Sequence, residues 1–164
     1  MQKAFASILV VAALSVAGAR AESTVVVEGV HNCCKGCANG ITKAVSSVKD
    51  ASAEIDGETV TITAKNSTGA KKALEALMGA GYYGKVEGAE SKASDKVLKG
   101  ATVSDVHLCC GKCVKAMTAA VESVSGVTGA NIENKASSFT VEGEFKESDL
   151  IAAMNEAGFH GSVK

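Results

Sequence analysis

Proline and tryptophan are both absent from the 164 residues, and aromatic residues make up only 4% of them. Each lack removes a class of function. With no proline there is no cis-proline to face a cysteine pair, which tells against a thiol–disulfide oxidoreductase of the thioredoxin type. With so few rings there is no platform on which bases could stack. Charge of one sign is also missing: the net charge is −1, so no basic footprint recruits nucleic acid. Beyond the first twenty residues no apolar run is long enough to span a bilayer. Ser, His and Asp never assemble into a triad pattern, and no glycine-rich phosphate loop occurs. What remains is globular material, 46% apolar and 21% charged, with six cysteines.

The N-terminus has a three-part layout. Met1-Gln2-Lys3 is a short positive start, Ala4 to Ala19 is uncharged, and Ala19-Arg20-Ala21 is a small-x-small cleavage signal. This reads as a secretory signal peptide over residues 1–21, because the apolar run falls short of the ~18–20 residues of a membrane span. No cysteine follows the cleavage point to carry a lipid, and no twin-arginine pair precedes the run. The expected product is exported, periplasmic or secreted, with no membrane span in the mature chain.

The rest of the chain reads as one unit written twice. Val30-His31-Asn32-Cys33-Cys34-Lys35-Gly36-Cys37 matches Val106-His107-Leu108-Cys109-Cys110-Gly111-Lys112-Cys113 at an offset of 76 residues. Near the end of each unit, Ala80-Gly81-Tyr82-Tyr83-Gly84 matches Ala157-Gly158-Phe159-His160-Gly161 at an offset of 77. The units span 22–87 and 101–164, and residues 88–100, rich in Gly, Ser and Lys, read as a mobile linker. Thr24 to Val27 is β-branched and predicts a strand, as does Ala101 to Val103. Ala38, Ile41, Ala44, Val45 and Val48 recur at helical spacing, repeated by Val114, Met117, Ala120, Val121 and Val124. Alternation on both sides of Asp56-Gly57 predicts a hairpin. A second helix at Ala70, Ala73, Leu74 and Leu77, mirrored by Leu150, Ile151 and Met154, precedes a short closing strand. The order is βαββαβ, so the expected fold is α+β, two tandem ferredoxin-like domains.

Each cysteine cluster falls between the first strand and the first helix. Cys34 and Cys37, like Cys110 and Cys113, stand at C-x-x-C spacing, which brings two sulfurs to the opening turn of one helix. Free N–H groups and the positive end of the helix dipole meet there, and both favour thiolate over thiol. Thiolates suit soft cations, Cu(I) first, with zinc and other soft divalent ions behind it.

At these residues the chain resembles the heavy-metal-associated domain family, which includes copper chaperones, the amino-terminal domains of copper ATPases and periplasmic mercury-binding proteins. The resemblance rests on the C-x-x-C loop opening a helix, the βαββαβ order, the lead-in Val27-Glu28-Gly29 and the closing Ala-Gly-aromatic. It implies that Cys34, Cys37, Cys110 and Cys113 bind metal, and that Tyr82 and Phe159 lie on a loop beside it. The pattern also departs from the family. Asn32 and Leu108 stand where a core methionine is usual, and both copies carry an extra cysteine (Cys33, Cys109) and a histidine (His31, His107). The candidate metal ligands are therefore Cys33, Cys34, Cys37, Cys109, Cys110 and Cys113, with His31 and His107 as further donors. Two thiolates would suit linear Cu(I), whereas three and an imidazole would close a tetrahedral zinc-type shell.

An exported protein meets an oxidising compartment, so structural disulfides are the competing reading of the C-x-x-C pairs. Three cysteines per unit would strand one thiol, and adjacent cysteines bridge only with strain. The expected function is sequestration or relay of Cu(I), with Zn or Hg as alternatives, by thiolate ligand exchange with no catalysis. The expected partners are the metal and a metal-transporting ATPase or other acceptor protein. A thiol–disulfide redox protein is the second hypothesis. Few apolar residues in the linker lead us to expect two units that fold and bind one metal each.

Overall fold

The computed structural model describes residues 22–87 and 94–164. The expected signal peptide, residues 1–21, and residues 88–93 of the expected linker lie outside the described residues. The fold is α+β and ferredoxin-like, with antiparallel sheets and four helices among the described residues.

The first unit runs β1 (Ser23–Val27), α1 (Lys35–Ser46), β2 (Ala51–Asp56), β3 (Thr59–Ala64) and α2 (Ser67–Gly79). Its sheet has the order β1-β3-β2, with Val25 opposite Ile62 and Ile55 opposite Val60. Strand β3 is central and threonine alternates with apolar residues along it, so Val60, Ile62 and Ala64 enter the core. Helix α1 buries Cys37, Ile41 and Val45, one residue per turn on a single stripe. Helix α2 is held at its start by Asn66, whose side chain accepts from the Gly69 N–H at 2.9 Å. The closing strand expected over Tyr82 to Val86 shrinks to a bridge, Glu28 and Lys85 exchanging backbone hydrogen bonds of 2.9 and 2.7 Å.

The second unit runs β4 (Val97–Leu98), β5 (Ala101–Ser104), α3 (Gly111–Glu122), β6 (Val127–Asn131), β7 (Ser138–Gly143), β8 (Phe145–Lys146), α4 (Glu147–Glu156) and β9 (Ser162–Val163). Its sheet order, β6-β7-β5-β9, has β7 and β5 at its centre. Cys113, Met117 and Val121 of α3 are buried in the same core as Phe139 and Val141 of β7.

The expected linker needs correction at its second half. Val97 and Leu98 form β4 and pair with Lys146 and Phe145 of β8. The carbonyls of Lys96 and Ser94 accept from the N–H groups of Glu147 and Ser148, at 2.9 and 3.1 Å. Those are the first amides of α4, which have no partner within the helix, so this segment completes the second unit. The apolar pair Val97-Leu98, an exception within an otherwise polar stretch, is the physical reason: Leu98 packs against the core beside the buried Phe145.

Candidate metal centre

Local chain geometry points the sulfurs of both units the same way. Cys34 and Cys110 are the cap residues of α1 and α3, in extended backbone (φ −162° and −155°). Cys37 and Cys113 stand one turn inside, at the head of each buried stripe, and are fully buried. Cys33 and Cys109 precede the caps and are half-buried. All six are free thiols.

The two clusters do not form separate sites, as the sequence led us to expect; they meet. Within the first cluster, Cys33 and Cys34 approach Cys37 at 3.8 and 3.9 Å. Within the second, Cys109 and Cys110 approach Cys113 at 3.6 and 3.8 Å. Between them, Cys33 lies 3.7 Å from both Cys110 and Cys113, and Cys34 lies 3.7 Å from Cys109. Cys37 lies 3.5 Å from Cys109 and 3.9 Å from Cys113. A metal–sulfur bond of about 2.3 Å puts the sulfurs of a tetrahedral site about 3.8 Å apart and those of a trigonal one about 4.0 Å apart. The spacing therefore fits shared metal coordination.

The segments flanking the clusters bring the units face to face. Tyr82 and Phe159 pair as an isolated antiparallel bridge. The N–H groups of His31 and Tyr83 donate to the Gly158 carbonyl at 3.2 and 3.1 Å, and that of His160 donates to the Gly81 carbonyl at 3.0 Å. The rings interlock across the same seam. His31 stacks on Phe159 with centroids 4.2 Å apart, and His107 lies against Tyr82 at 4.5 Å. Gly81 and Gly158 make this possible. Both have positive φ (+88° and +81°), and a Cβ on either would strike the other unit's backbone, at His107 N and His31 N respectively. Sequence reasoning missed this role, although the signal, an Ala-Gly-aromatic repeated at the end of both units, was present.

The electrostatics divide the six thiols. The backbone amides of Cys37 and Gly36 lower the Cys34 pKa, and those of Cys113 and Lys112 lower that of Cys110 to about 6. Burial, followed by neighbouring sulfurs, pushes Cys33 and Cys109 upward. Cys113 is also raised by burial. Cys110 is thus a ready anion at neutral pH and Cys34 is shifted in the same direction, whereas the thiols raised by burial give up a proton to a competing cation.

Both histidines are close by, in different relations to the sulfurs. His31 has a ring nitrogen within 4.8 Å of the sulfurs of Cys33 and Cys113. Its Nε2, like that of His107, is buried without a hydrogen-bond partner among the described residues. Burial lowers the pKa of both rings, favouring the neutral form in which imidazole can ligate. Tyr82, expected beside the metal, is buried there and donates from its hydroxyl to the Cys37 carbonyl at 3.1 Å. Phe159 is equally buried. At the core-methionine position Leu108 is buried, while Asn32 donates from its side-chain amide to the Gly57 carbonyl at 2.7 Å. His160 is half-buried at the seam.

Residues 102–160 match the family model of the heavy-metal-associated domain. No curated protein matches the chain. Two solved structures from Bacillus subtilis are similar to it. One is the N-terminal soluble domains of CopA in solution, 16% identical, covering 88% of this chain and 95% of that one, with a TM-score of 0.32. The other is the water-soluble region of the P-type ATPase CopA, 18% identical, covering 88% and 93%, with a TM-score of 0.34. At those scores the likeness carries no weight, and the case for a metal rests on the family match and the sulfurs. Among the described residues no helix is long and apolar enough to cross a membrane.

Proposed function

With a second unit that belongs to the heavy-metal-associated domain family, we propose that this protein is an exported, non-catalytic carrier of a soft cation, Cu(I) before Zn or Hg. The first unit, with its own Cys-Cys-x-x-Cys loop, supplies the other half of the donor set. One observation carries the reading: six free thiols from two units packed at 3.5–3.9 Å, a spacing that suits a shared metal. Thiolate chemistry favours Cu(I), and the lowered pKa values of Cys34 and Cys110 ease the loss of their protons to the ion. Cys34 and Cys110 are also part-exposed at the helix openings, where an incoming thiolate from an acceptor protein, such as a metal-transporting ATPase, has access. Handover then proceeds by ligand exchange, each protein thiolate leaving the ion as an acceptor thiolate binds.

Competition against a chromogenic chelator under reducing conditions, with Cu(I) and Zn(II) in parallel, tests this directly. Intact protein is expected to outcompete the chelator for Cu(I). Replacing Cys33→Ser together with Cys109→Ser is expected to weaken binding by at least a few kcal/mol, against the about 10–16 kcal/mol typical of whole structural zinc sites. Failure to retain either metal, combined with rapid oxidation and reduction of protein thiols, would favour the thiol–disulfide redox reading instead. Export is checked by N-terminal sequencing of protein from the extracytoplasmic fraction, with Glu22 expected as the first residue.

A further inference from the structure

The sulfur arrangement has a regularity that two mononuclear sites do not explain. Nine sulfur pairs approach within 3.5–3.9 Å. Three more, Cys33/Cys34, Cys34/Cys110 and Cys109/Cys110, lie within 4.8 Å. These twelve pairs are the edges of an octahedron whose opposite corners are Cys33 and Cys109, Cys34 and Cys113, and Cys37 and Cys110. Every corner is opposite one from the other unit.

An octahedron has eight triangular faces, which split into two sets of four that share corners but no edges. One set is Cys33/Cys34/Cys37, Cys34/Cys109/Cys110, Cys37/Cys109/Cys113 and Cys33/Cys110/Cys113. The first three are compact donor groups, and the sulfurs of the fourth are 3.7, 3.7 and 3.8 Å apart. Every sulfur belongs to two of these faces. Among the twelve pairs no four sulfurs are all mutually paired, which is what one tetrahedral ion would need. Triangles suit Cu(I), a soft ion at home with three thiolates.

On the reading that the cysteines take Cu(I), we infer that they form one polynuclear cluster of four Cu(I) ions on six bridging thiolates, shared between the units. Each thiolate bridges two ions, and six negative charges against four positive ones leave a net −2. No electron is transferred; each thiol yields its proton as copper binds. The alternate set of faces, with Cys33/Cys37/Cys113 and Cys34/Cys37/Cys109 at 3.5–3.9 Å, would serve as well. In either set three of the four ions draw sulfurs from both units, so loading is cooperative and locks the seam between them.

The test is native mass spectrometry of the reduced chain titrated anaerobically with Cu(I), alongside X-ray absorption at the copper edge. The expected result is conversion of metal-free protein to a four-copper species with little of the one- to three-copper forms, and a Cu···Cu scattering shell. Stepwise filling that stops at one or two coppers, with no Cu···Cu shell, would overturn the cluster while leaving Cu(I) carriage intact. No copper retained would overturn both. Cys33→Ser with Cys109→Ser supplies an independent check. Removing one opposite pair leaves four sulfurs in a ring with no triangular face among them, so the four-copper species is expected to vanish altogether; its persistence would contradict the assignment.

Discussion

Below Cys37 in the first unit, Ile41 and Val45 of helix α1 share a core with Val60 and Ile62, aliphatic but for the ring of Tyr82. Below Cys113 in the second, Met117 and Val121 of α3 share a core with Phe139, Val141 and Met154. The sheets differ as well: the second unit completes a fourth strand, β9, where the first has only the Glu28–Lys85 bridge. Around the sulfurs the differences fade. Both units cap a helix with one cysteine, bury a second one turn later, and send a glycine and an aromatic ring into the partner unit. Apolar volume can be redistributed within a core at modest cost, provided the total is kept. A donor set tolerates displacements of only tenths of an ångström, because metal–sulfur distances are fixed. The comparison thus separates residues that fill space from those that set the site.

The largest effect is expected where the two units are most alike. Replacing Cys37→Ser with Cys113→Ser removes the two fully buried sulfurs, and metal retention should be lost under chelator competition while the circular dichroism of both units persists. Next comes the seam. Gly81→Val with Gly158→Val places side chains against the backbones of His107 and His31 and forces residues of positive φ into strain. The units should part, with affinity for Cu(I) falling by about a hundredfold, equivalent to about 2.7 kcal/mol. Unchanged affinity would mean that each unit binds by itself.

Much of each unit was legible in the sequence. The hairpin strands fall where the alternation of Ala53, Ile55, Val60 and Ile62 placed them, and both helical stripes point inward as their spacing required. The candidate cysteines were legible too, since C-x-x-C at a helix opening leaves few geometries. Their convergence was not. Periodicity reports which face of an element is buried within its own unit, and it is silent about two units meeting through backbone at two glycines. The β4–β8 pairing was hidden for a related reason: Val97-Leu98 is too short a run to show any period.

Labelling should follow position within the cluster, and similarly in both units. In reduced, metal-free protein at neutral pH, iodoacetamide is expected to modify Cys34 and Cys110 first, because lowered pKa values leave more thiolate there. Cys33 and Cys109, held protonated by burial, should lag. Peptide mapping over time checks the order, and preferential modification of Cys33 would refute it. Core truncation should cost the two units alike despite their different interiors. Ile41→Ala and Met117→Ala are each expected to destabilise by roughly 2–5 kcal/mol in denaturant titrations. The smallest effect belongs to an asymmetry near the site. Tyr82→Phe removes the hydrogen bond to the Cys37 carbonyl and should cost about 0.5–1.5 kcal/mol of stability.

The account stands or falls on the two cysteine clusters sharing one volume. Reduced, metal-free protein treated at high dilution with a short bis-alkylating reagent such as dibromobimane, then digested and mapped, reports which thiols are neighbours. Bridges should join Cys33, Cys34 or Cys37 to Cys109, Cys110 or Cys113 within single chains, as the 3.5 Å approach of Cys37 to Cys109 requires. Bridges confined to each cluster, with none between the units, would contradict it.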